Sequence, residues 1–137
     1  MTVYEGSCHC GAVAVRFETD IAPDAMDVRA DQCGLCRRHG VKTVSDSAGR
    51  LWLRFREGGV QRYRFGTRSS DFIICRTCGI FVAAVIEGYA VLNVVGAGIG
   101  PLAGRPARAV DYDGETPESR RERRRERWTP LTMEVGA

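Results

Sequence analysis

Six cysteines in three closely spaced pairs constrain this chain more than any other feature of its sequence. The pairs are Cys8 with Cys10, Cys33 with Cys36, and Cys75 with Cys78. Residues 1–6 show neither the basic stretch nor the apolar run of a secretion signal, so we expect a cytoplasmic protein with reduced thiols. Reduced cysteines in that compartment are more often metal ligands or catalytic groups than disulfide partners. The sequence therefore predicts metal binding.

The first and third pairs predict one structural zinc ion. A tight turn brings both sulfurs of a close pair to the same side, and two such pairs complete a tetrahedral site. The predicted ligands are Cys8, Cys10, Cys75 and Cys78. Such a closed site has no position for a substrate, so we expect it to contribute folding energy. The alternative interpretation is four buried free cysteines.

The middle pair is Cys33 and Cys36, and no further cysteines remain to complete a second four-sulfur site around it. Asp31 precedes Cys33 by two residues and could supply an oxygen ligand. Three ligands with an open fourth position are typical of a catalytic zinc site. The alternatives are a redox pair of the thioredoxin type, an empty reduced pair, or two small apolar core residues. His39 is within reach as a ligand or proton shuttle, with a solvated surface histidine as the alternative.

The apolar pattern predicts one mainly β domain. A chain of 137 residues with 44% apolar residues can build one hydrophobic core. Val13, Val15 and Phe17 alternate with residues of the opposite side, which is the period of a half-buried strand. No apolar run approaches the roughly 20 residues that cross a bilayer, so we expect no membrane as a partner.

Later segments extend the β pattern. Residues 51–55 and 61–65 alternate on either side of Gly58-Gly59, which predicts a hairpin. Three further strands within residues 71–95 predict a meander around the last cysteine pair. Residues 96–108 are rich in glycine and proline and predict an irregular surface loop over the sheet.

The C-terminal segment, residues 111–137, is predicted to be an extension of the same unit as the zinc-binding part, residues 1–110. Thr116-Pro117 predicts the start of a charged helix that continues from Glu118 to Trp128. This helix carries six arginines and three glutamates, which account for the whole net charge of +3. The interspersed glutamates predict a solvated, self-paired helix rather than one that lies on nucleic acid or an acidic partner. Trp128 is expected to anchor the tail to the sheet.

Three ordered motifs carry a resemblance to a known family. They are Gly6-Ser-Cys-His-Cys-Gly-Ala-Val13, Cys33-Gly-Leu-Cys-Arg-Arg-His-Gly40 and Cys75-Arg-Thr-Cys-Gly79. From about Val3 to Val95 the chain resembles the glutathione-dependent formaldehyde-activating enzymes and the related centromere protein V domain. The resemblance implies a β-tent of the Mss4-like kind with the structural zinc at its four cysteines. It further implies a second, catalytic zinc at the motif that contains Cys33 and Cys36.

The chain departs from the family pattern at this second motif, because Asp31 stands where family members with the full motif carry a third cysteine. The resemblance implies a carbon-sulfur lyase: a thiol such as glutathione binds at the open position, loses its proton and attacks an aldehyde carbon. Arg37, Arg38 and His39 are close enough in sequence to hold carboxylates or move a proton. The alternative function is a non-catalytic zinc module that binds a partner or nucleic acid through its sheet or its arginine-rich tail.

Overall fold

The computed structural model describes residues 1–136, so Ala137, the last residue of the predicted extension, lies outside the described residues. The fold is mainly β with a short C-terminal helix, as the sequence predicts. The strands are β1 (Thr2–Ser7), β2 (Ala14–Thr19), β3 (Arg29–Asp31), β4 (Thr43–Val44), β5 (Arg50–Arg56), β6 (Val60–Tyr63), β7 (Asp71–Cys75), β8 (Phe81–Ile86), β9 (Tyr89–Asn93), β10 (Arg108–Val110) and β11 (Thr129–Gly136). The helices are α1 (Gly34–His39), α2 (Gly100–Ala103) and α3 (Pro117–Arg127), with a 3-10 turn at Pro23–Ala25.

The strands form two sheets that the last strand joins. Sheet 1 has the order β1, β2, β5, β11. Sheet 2 has the order β6, β7, β8, β9, β4, β3, β10. Thr129 and Pro130 at the start of β11 pair with β9, whereas the remainder of the strand runs parallel to β5. The sequence pattern did not predict this strand, and it integrates the C-terminal segment into both sheets.

The predicted hairpin around Gly58-Gly59 is wrong. Both of its strands form, but β5 pairs with β2 and β11 in sheet 1, while β6 pairs with β7 in sheet 2. A strand has two edges, and both edges of β5 are already occupied. The chain therefore turns a corner at Gly58, whose φ is +77°, and passes from one sheet to the other.

The predicted meander is confirmed, because β7, β8 and β9 pair in sequence as antiparallel strands. The main core combines side chains from both sheets, and it includes Phe17 and Leu53 from sheet 1 and Ile73 and Leu92 from sheet 2. Val13, Val15 and Phe17 are buried, as their alternation predicts. Strand β8 is buried along almost its whole length because it also contributes to a second cluster, described below.

The segment from residue 96 to residue 108 is more ordered than the predicted irregular loop. It contains the short helix α2, and Ala97, Ile99 and Leu102 are buried in the main core. The ammonium group of Lys42 donates to the carbonyl oxygens of Ala103 and Arg105 at 2.9 and 2.7 Å. These bonds satisfy carbonyls at the end of α2 that have no helical partner.

Helix α3 begins where the sequence predicts. The Oγ1 of Thr116 accepts a hydrogen bond from the Ser119 N–H, and the Ser119 Oγ accepts one from the Thr116 N–H, which together form a capping box. The helix ends before Trp128, which is buried as expected for an anchor of the tail. Within residues 1–136, no helix has the length and apolar character that crossing a membrane requires.

Candidate metal centres

The first and third cysteine pairs form one cluster that connects the two sheets. Cys8 follows β1 of sheet 1, and Cys75 is the last residue of β7 in sheet 2. The four sulfur atoms of Cys8, Cys10, Cys75 and Cys78 all lie within 4.8 Å of one another. All four are free thiols, so no disulfide holds them together. The structure thus brings together the four residues that the sequence predicts as structural zinc ligands.

Similar turns present the sulfurs of both pairs. The Gly11 N–H donates to the Cys8 carbonyl at 3.0 Å, and the Gly79 N–H donates to the Cys75 carbonyl at 2.9 Å. Both glycines have a positive φ, +85° and +77°, which a side chain would strain. The Val13 N–H also donates to the Cys8 sulfur at 3.3 Å. The glycine after each pair is therefore required by the turn.

The spacing of the sulfurs fits a metal ion. Zinc–sulfur bonds of about 2.3 Å in a tetrahedron place neighbouring sulfurs about 3.8 Å apart. The Cys10 sulfur lies 3.7 Å from that of Cys8 and 3.6 Å from that of Cys75. Burial raises the pKa of Cys78, but hydrogen bonds from the backbone of Cys10 and Ile80 outweigh this effect and lower it to about 6. Cys78 can therefore offer thiolate, the form that binds metal.

Asp31, Cys33 and Cys36 form a second cluster of donor atoms. Their ligand atoms also lie within 4.8 Å of one another. Asp31 ends β3, and its Oδ1 accepts a hydrogen bond from the Cys33 N–H at 2.9 Å. Cys33 caps the N-terminus of α1, where its sulfur accepts from the Cys36 N–H at 3.3 Å. Three donors of the O, S, S type fit a zinc ion with one position left open.

The two thiols of this cluster differ in acidity. The Cys36 thiol and the backbone N–H groups of Cys36 and Leu35 donate to the Cys33 sulfur, and they lower its pKa to about 7 although burial and the Asp31 charge oppose them. The pKa of Cys36 is raised above its ordinary value by its bond to Cys33 and by burial. Cys33 is therefore the thiol that ionises first near neutral pH, which suits either metal binding or redox chemistry.

A cavity of about 60 Å³ borders this second cluster. Asp31 and Cys36 form part of its wall, and the aromatic side chains of Phe81, Tyr112 and Trp128 form another part. Cys36, Phe81 and Trp128 belong to the small cluster of buried apolar residues on the outer face of β8 and β9. The cavity therefore places two of the three donors beside aromatic side chains.

Three arginines complete the cavity wall: Arg29 from β3, and Arg123 and Arg124 from α3. The expectation of a solvated, self-paired helix is thus wrong for one face of α3, because Arg120, Arg123 and Arg124 are partly buried. The glutamates of the helix do lie on its exposed side. Sequence reasoning missed these arginines as site residues, although the spacing of positions 120, 123, 124 and 128 marks one helical face that ends in Trp128.

The remaining predicted site residues lie on the surface of α1. Arg37, Arg38 and His39 are exposed, and none of them borders the cavity. The Arg38 guanidinium donates to the Gly34 carbonyl at 3.0 Å, and the His39 ring packs edge-on against Phe81 with 6.0 Å between ring centroids. His39 is outside the group of three donor atoms. The roles suggested for these three residues remain predictions.

Comparison with known proteins agrees with the cysteine motifs. The model of the glutathione-dependent formaldehyde-activating enzyme family matches residues 3–108. The chain belongs to this family. A crystal structure of a Rhodobacter sphaeroides protein is similar, with 27% identity and a TM-score of 0.50 over 93% of this chain and 99% of that one. No curated protein matches the chain.

The region that matches the family includes the two donor clusters but not the whole cavity wall. The matched region contains all six cysteines and Asp31. Tyr112, Arg123, Arg124 and Trp128 come after residue 108 and lie outside the matched region. The part of the cavity wall that helix α3 provides is therefore a feature of this chain that the family match does not describe.

Proposed function

We propose that this protein is a zinc-dependent carbon-sulfur lyase that joins a thiol to an aldehyde and separates them again. The observation that carries the proposal is the group formed by Asp31, Cys33 and Cys36, whose donor atoms lie together at the wall of a cavity. Family membership supports glutathione and formaldehyde as the first pair of substrates to test. A reduced thiol substrate suits the cytoplasm as the place of action.

The four-cysteine cluster has a different role in this proposal. We assign to Cys8, Cys10, Cys75 and Cys78 a structural zinc ion that holds sheet 1 against sheet 2 in a β-tent of the Mss4-like kind. A closed set of four thiolates leaves no position for a substrate. Two observations support that assignment: the sulfurs have the spacing that a zinc ion requires, and these four cysteines form no disulfide.

At the second cluster, Asp31, Cys33 and Cys36 would hold a zinc ion, which would supply a Lewis acid able to lower the pKa of a substrate thiol. The Cys33 N–H orients the Asp31 carboxylate through the 2.9 Å hydrogen bond. The low pKa of Cys33 keeps its thiolate available as a ligand at neutral pH. Asp31 in place of a third cysteine replaces a soft thiolate by a harder oxygen donor. A zinc ion bound there would therefore be a stronger Lewis acid.

The reaction itself needs no oxidant or reductant. A sulfur electron pair forms the new bond to the aldehyde carbon, the carbonyl π electrons move to oxygen, and the thiol proton is transferred to that oxygen. The product is an S-hydroxymethyl thioether when the aldehyde is formaldehyde, and the reverse reaction breaks the same carbon–sulfur bond. Phe81 and Trp128 at the cavity wall exclude water from the reacting atoms.

The test combines metal content with reaction rate. Protein purified without added zinc should contain two metal equivalents, and exchange NMR with ¹³C-formaldehyde and glutathione should show adduct formation faster than without protein. Cys36→Ser should retain the fold and one metal equivalent but lose the rate enhancement. One metal equivalent with no rate enhancement in the parent protein would instead favour the non-catalytic zinc-binding module.

A further inference from the structure

The guanidinium of Arg124 lies in the cavity wall without a carboxylate partner among residues 1–136. One of its terminal nitrogens donates to the Ser69 Oγ at 2.8 Å, and its carbon lies 5.0 Å from the centroid of the Trp128 ring. Its Nε atom is buried and has no hydrogen-bond partner within the described chain. A buried cationic donor is thus left unsatisfied beside the second donor cluster.

Each of the other two arginines of the cavity has a carboxylate nearby, although Arg120 shares the one beside Arg123 and Arg108 shares the one beside Arg29. Arg123 donates to both carboxylate oxygens of Glu115 at 2.7 and 3.0 Å, and its guanidinium stacks on the Tyr112 ring at 3.6 Å. The guanidinium of Arg29 lies 3.7 Å from the Asp27 carboxylate and donates to the Ser45 Oγ. Among the three arginines of the wall, Arg124 is therefore the one without a carboxylate partner within residues 1–136.

A partly buried charge without a carboxylate partner is unfavourable, and burial is the main reason why the pKa of Arg124 falls to about 10. Repulsion from Arg123 and Arg120 lowers it further, while Glu115 and Asp31 partly offset this. An anionic ligand would complete such a group, and the planar guanidinium matches a carboxylate in both shape and charge.

We propose that this cavity binds the carboxylate of a small organic acid through Arg124, and that the ligand's reactive carbon or sulfur then lies beside Asp31 and Cys36. A volume of about 60 Å³ accommodates the carboxylate end of such a ligand but not a whole tripeptide. Recognition of the carboxylate stands by itself, whereas its use in catalysis rests on the proposed function. Either the thiol or the aldehyde can carry the carboxylate.

Two matched thiol ligands distinguish recognition of the carboxylate from binding of the sulfur. We would load the full-length protein with Co²⁺ and follow the sulfur-to-cobalt absorption band while adding mercaptoacetate or 2-mercaptoethanol, which differ in the carboxylate. The parent protein should bind mercaptoacetate about tenfold more tightly or better. Equal affinity for the two thiols would show that the thiol does not carry the carboxylate. Together with a negative result for the carboxylic acids without a thiol, it would overturn the proposal.

A second arm needs no reaction at a metal. Glyoxylate and acetate are added to the protein as purified, and the indole N–H signal of Trp128 is followed by ¹H–¹⁵N NMR. A saturable shift with either acid supports the site, and tighter binding of glyoxylate or of mercaptoacetate identifies which substrate carries the carboxylate. The proposal is overturned if neither acid gives a saturable shift and the two thiols bind equally. It is also overturned if inorganic phosphate binds more tightly than acetate.

Variants of neighbouring arginines supply the control. Arg124→Met removes the charge but retains the length of the side chain, and it should abolish the preference for carboxylate ligands without changing 2-mercaptoethanol binding. Arg125→Met changes an exposed arginine of the same helix and should behave like the parent protein. Retained carboxylate preference in Arg124→Met would overturn the proposal. Acetate binding that depends on Arg124, without thiol binding at cobalt, would leave this site standing and reject the proposed function.

Discussion

The sulfur atoms of Cys10 and Cys75 lie 3.6 Å apart, although 65 positions separate the two residues in the sequence. Cys10 follows the first strand of sheet 1, and Cys75 ends a strand of sheet 2. A metal ion bound between them therefore closes a long loop of the chain and links the two sheets. Because the unfolded chain does not hold the four sulfurs together, the free energy of binding such an ion adds to the stability of the folded chain.

Cys78→Ser is expected to prevent stable folding. Structural zinc sites contribute on the order of 10–16 kcal/mol in zinc-finger peptides, which matches or exceeds the whole stability of a typical domain. Thermal unfolding by circular dichroism, with zinc content measured on the same sample, checks this. Thr77→Ser changes an exposed residue of the same turn and should unfold like the parent protein. An unchanged melting temperature for Cys78→Ser would contradict the structural role.

Asp31→Asn should weaken metal binding at the second cluster by about tenfold or more. Asparagine can still accept the hydrogen bond from the Cys33 N–H, but it lacks the negative charge of the ligand. Asp31→Cys should have the opposite effect, because a third thiolate is a softer and stronger donor for zinc. Competition with a chromophoric chelator measures both affinities.

Asp111→Asn is the matched control for this pair. Asp111 accepts a similar backbone hydrogen bond, from the Asp113 N–H at 3.0 Å, but it is exposed and outside both donor clusters. Its substitution should leave the metal affinity of each donor cluster unchanged. If the three variants all bind metal like the parent protein, Asp31 is not a ligand.

Glu115 should titrate below the usual range of a glutamate. Hydrogen bonds from Arg123 lower its pKa, with a smaller contribution from Arg120. Because the pKa is lower in the folded state, the stabilising contribution is present above about pH 4.3, the unfolded value, and is lost as the pH falls through the folded value. Carboxyl NMR titration should show the depressed pKa in the parent protein and a return towards 4.3 in Arg123→Met.

Gly6→Ala should destabilise the protein by about 1–3 kcal/mol, as typical overpacking does. A Cβ atom at Gly6 would lie 2.2 Å from the carbonyl oxygen of Ala97, so the backbone of one segment has to shift. Gly114→Ala is the control, since no atom lies within 4 Å of its Cβ position. Urea unfolding of the two variants should therefore differ, and equal midpoints would show that the segment after Val95 yields at little cost.

Local patterns predicted the local structure of this chain well. The alternation of Val13, Val15 and Phe17 correctly marked the buried face of a strand, and Thr116-Pro117 correctly marked the start of α3. Strand periodicity does not specify the partner, however, and the hairpin between residues 51–55 and 61–65 failed for that reason. The pairing was decided by β2 and β11, which come from distant parts of the sequence and occupy both edges of β5.

The sequence by itself determined the donor atoms of this protein, because ligand spacing within a cysteine pair depends only on a short turn of the chain. It also determined the family, since three ordered motifs carry that information. Only the tertiary structure decided what surrounds the second cluster. The arginine-rich helix is charged in sequence and resembles a solvated one, yet Trp128 anchors its end in an apolar cluster and so brings Arg124 to the cavity. The spacing of these residues marks one face of the helix, but the segment against which that face packs depends on distant parts of the chain, which no local pattern encodes.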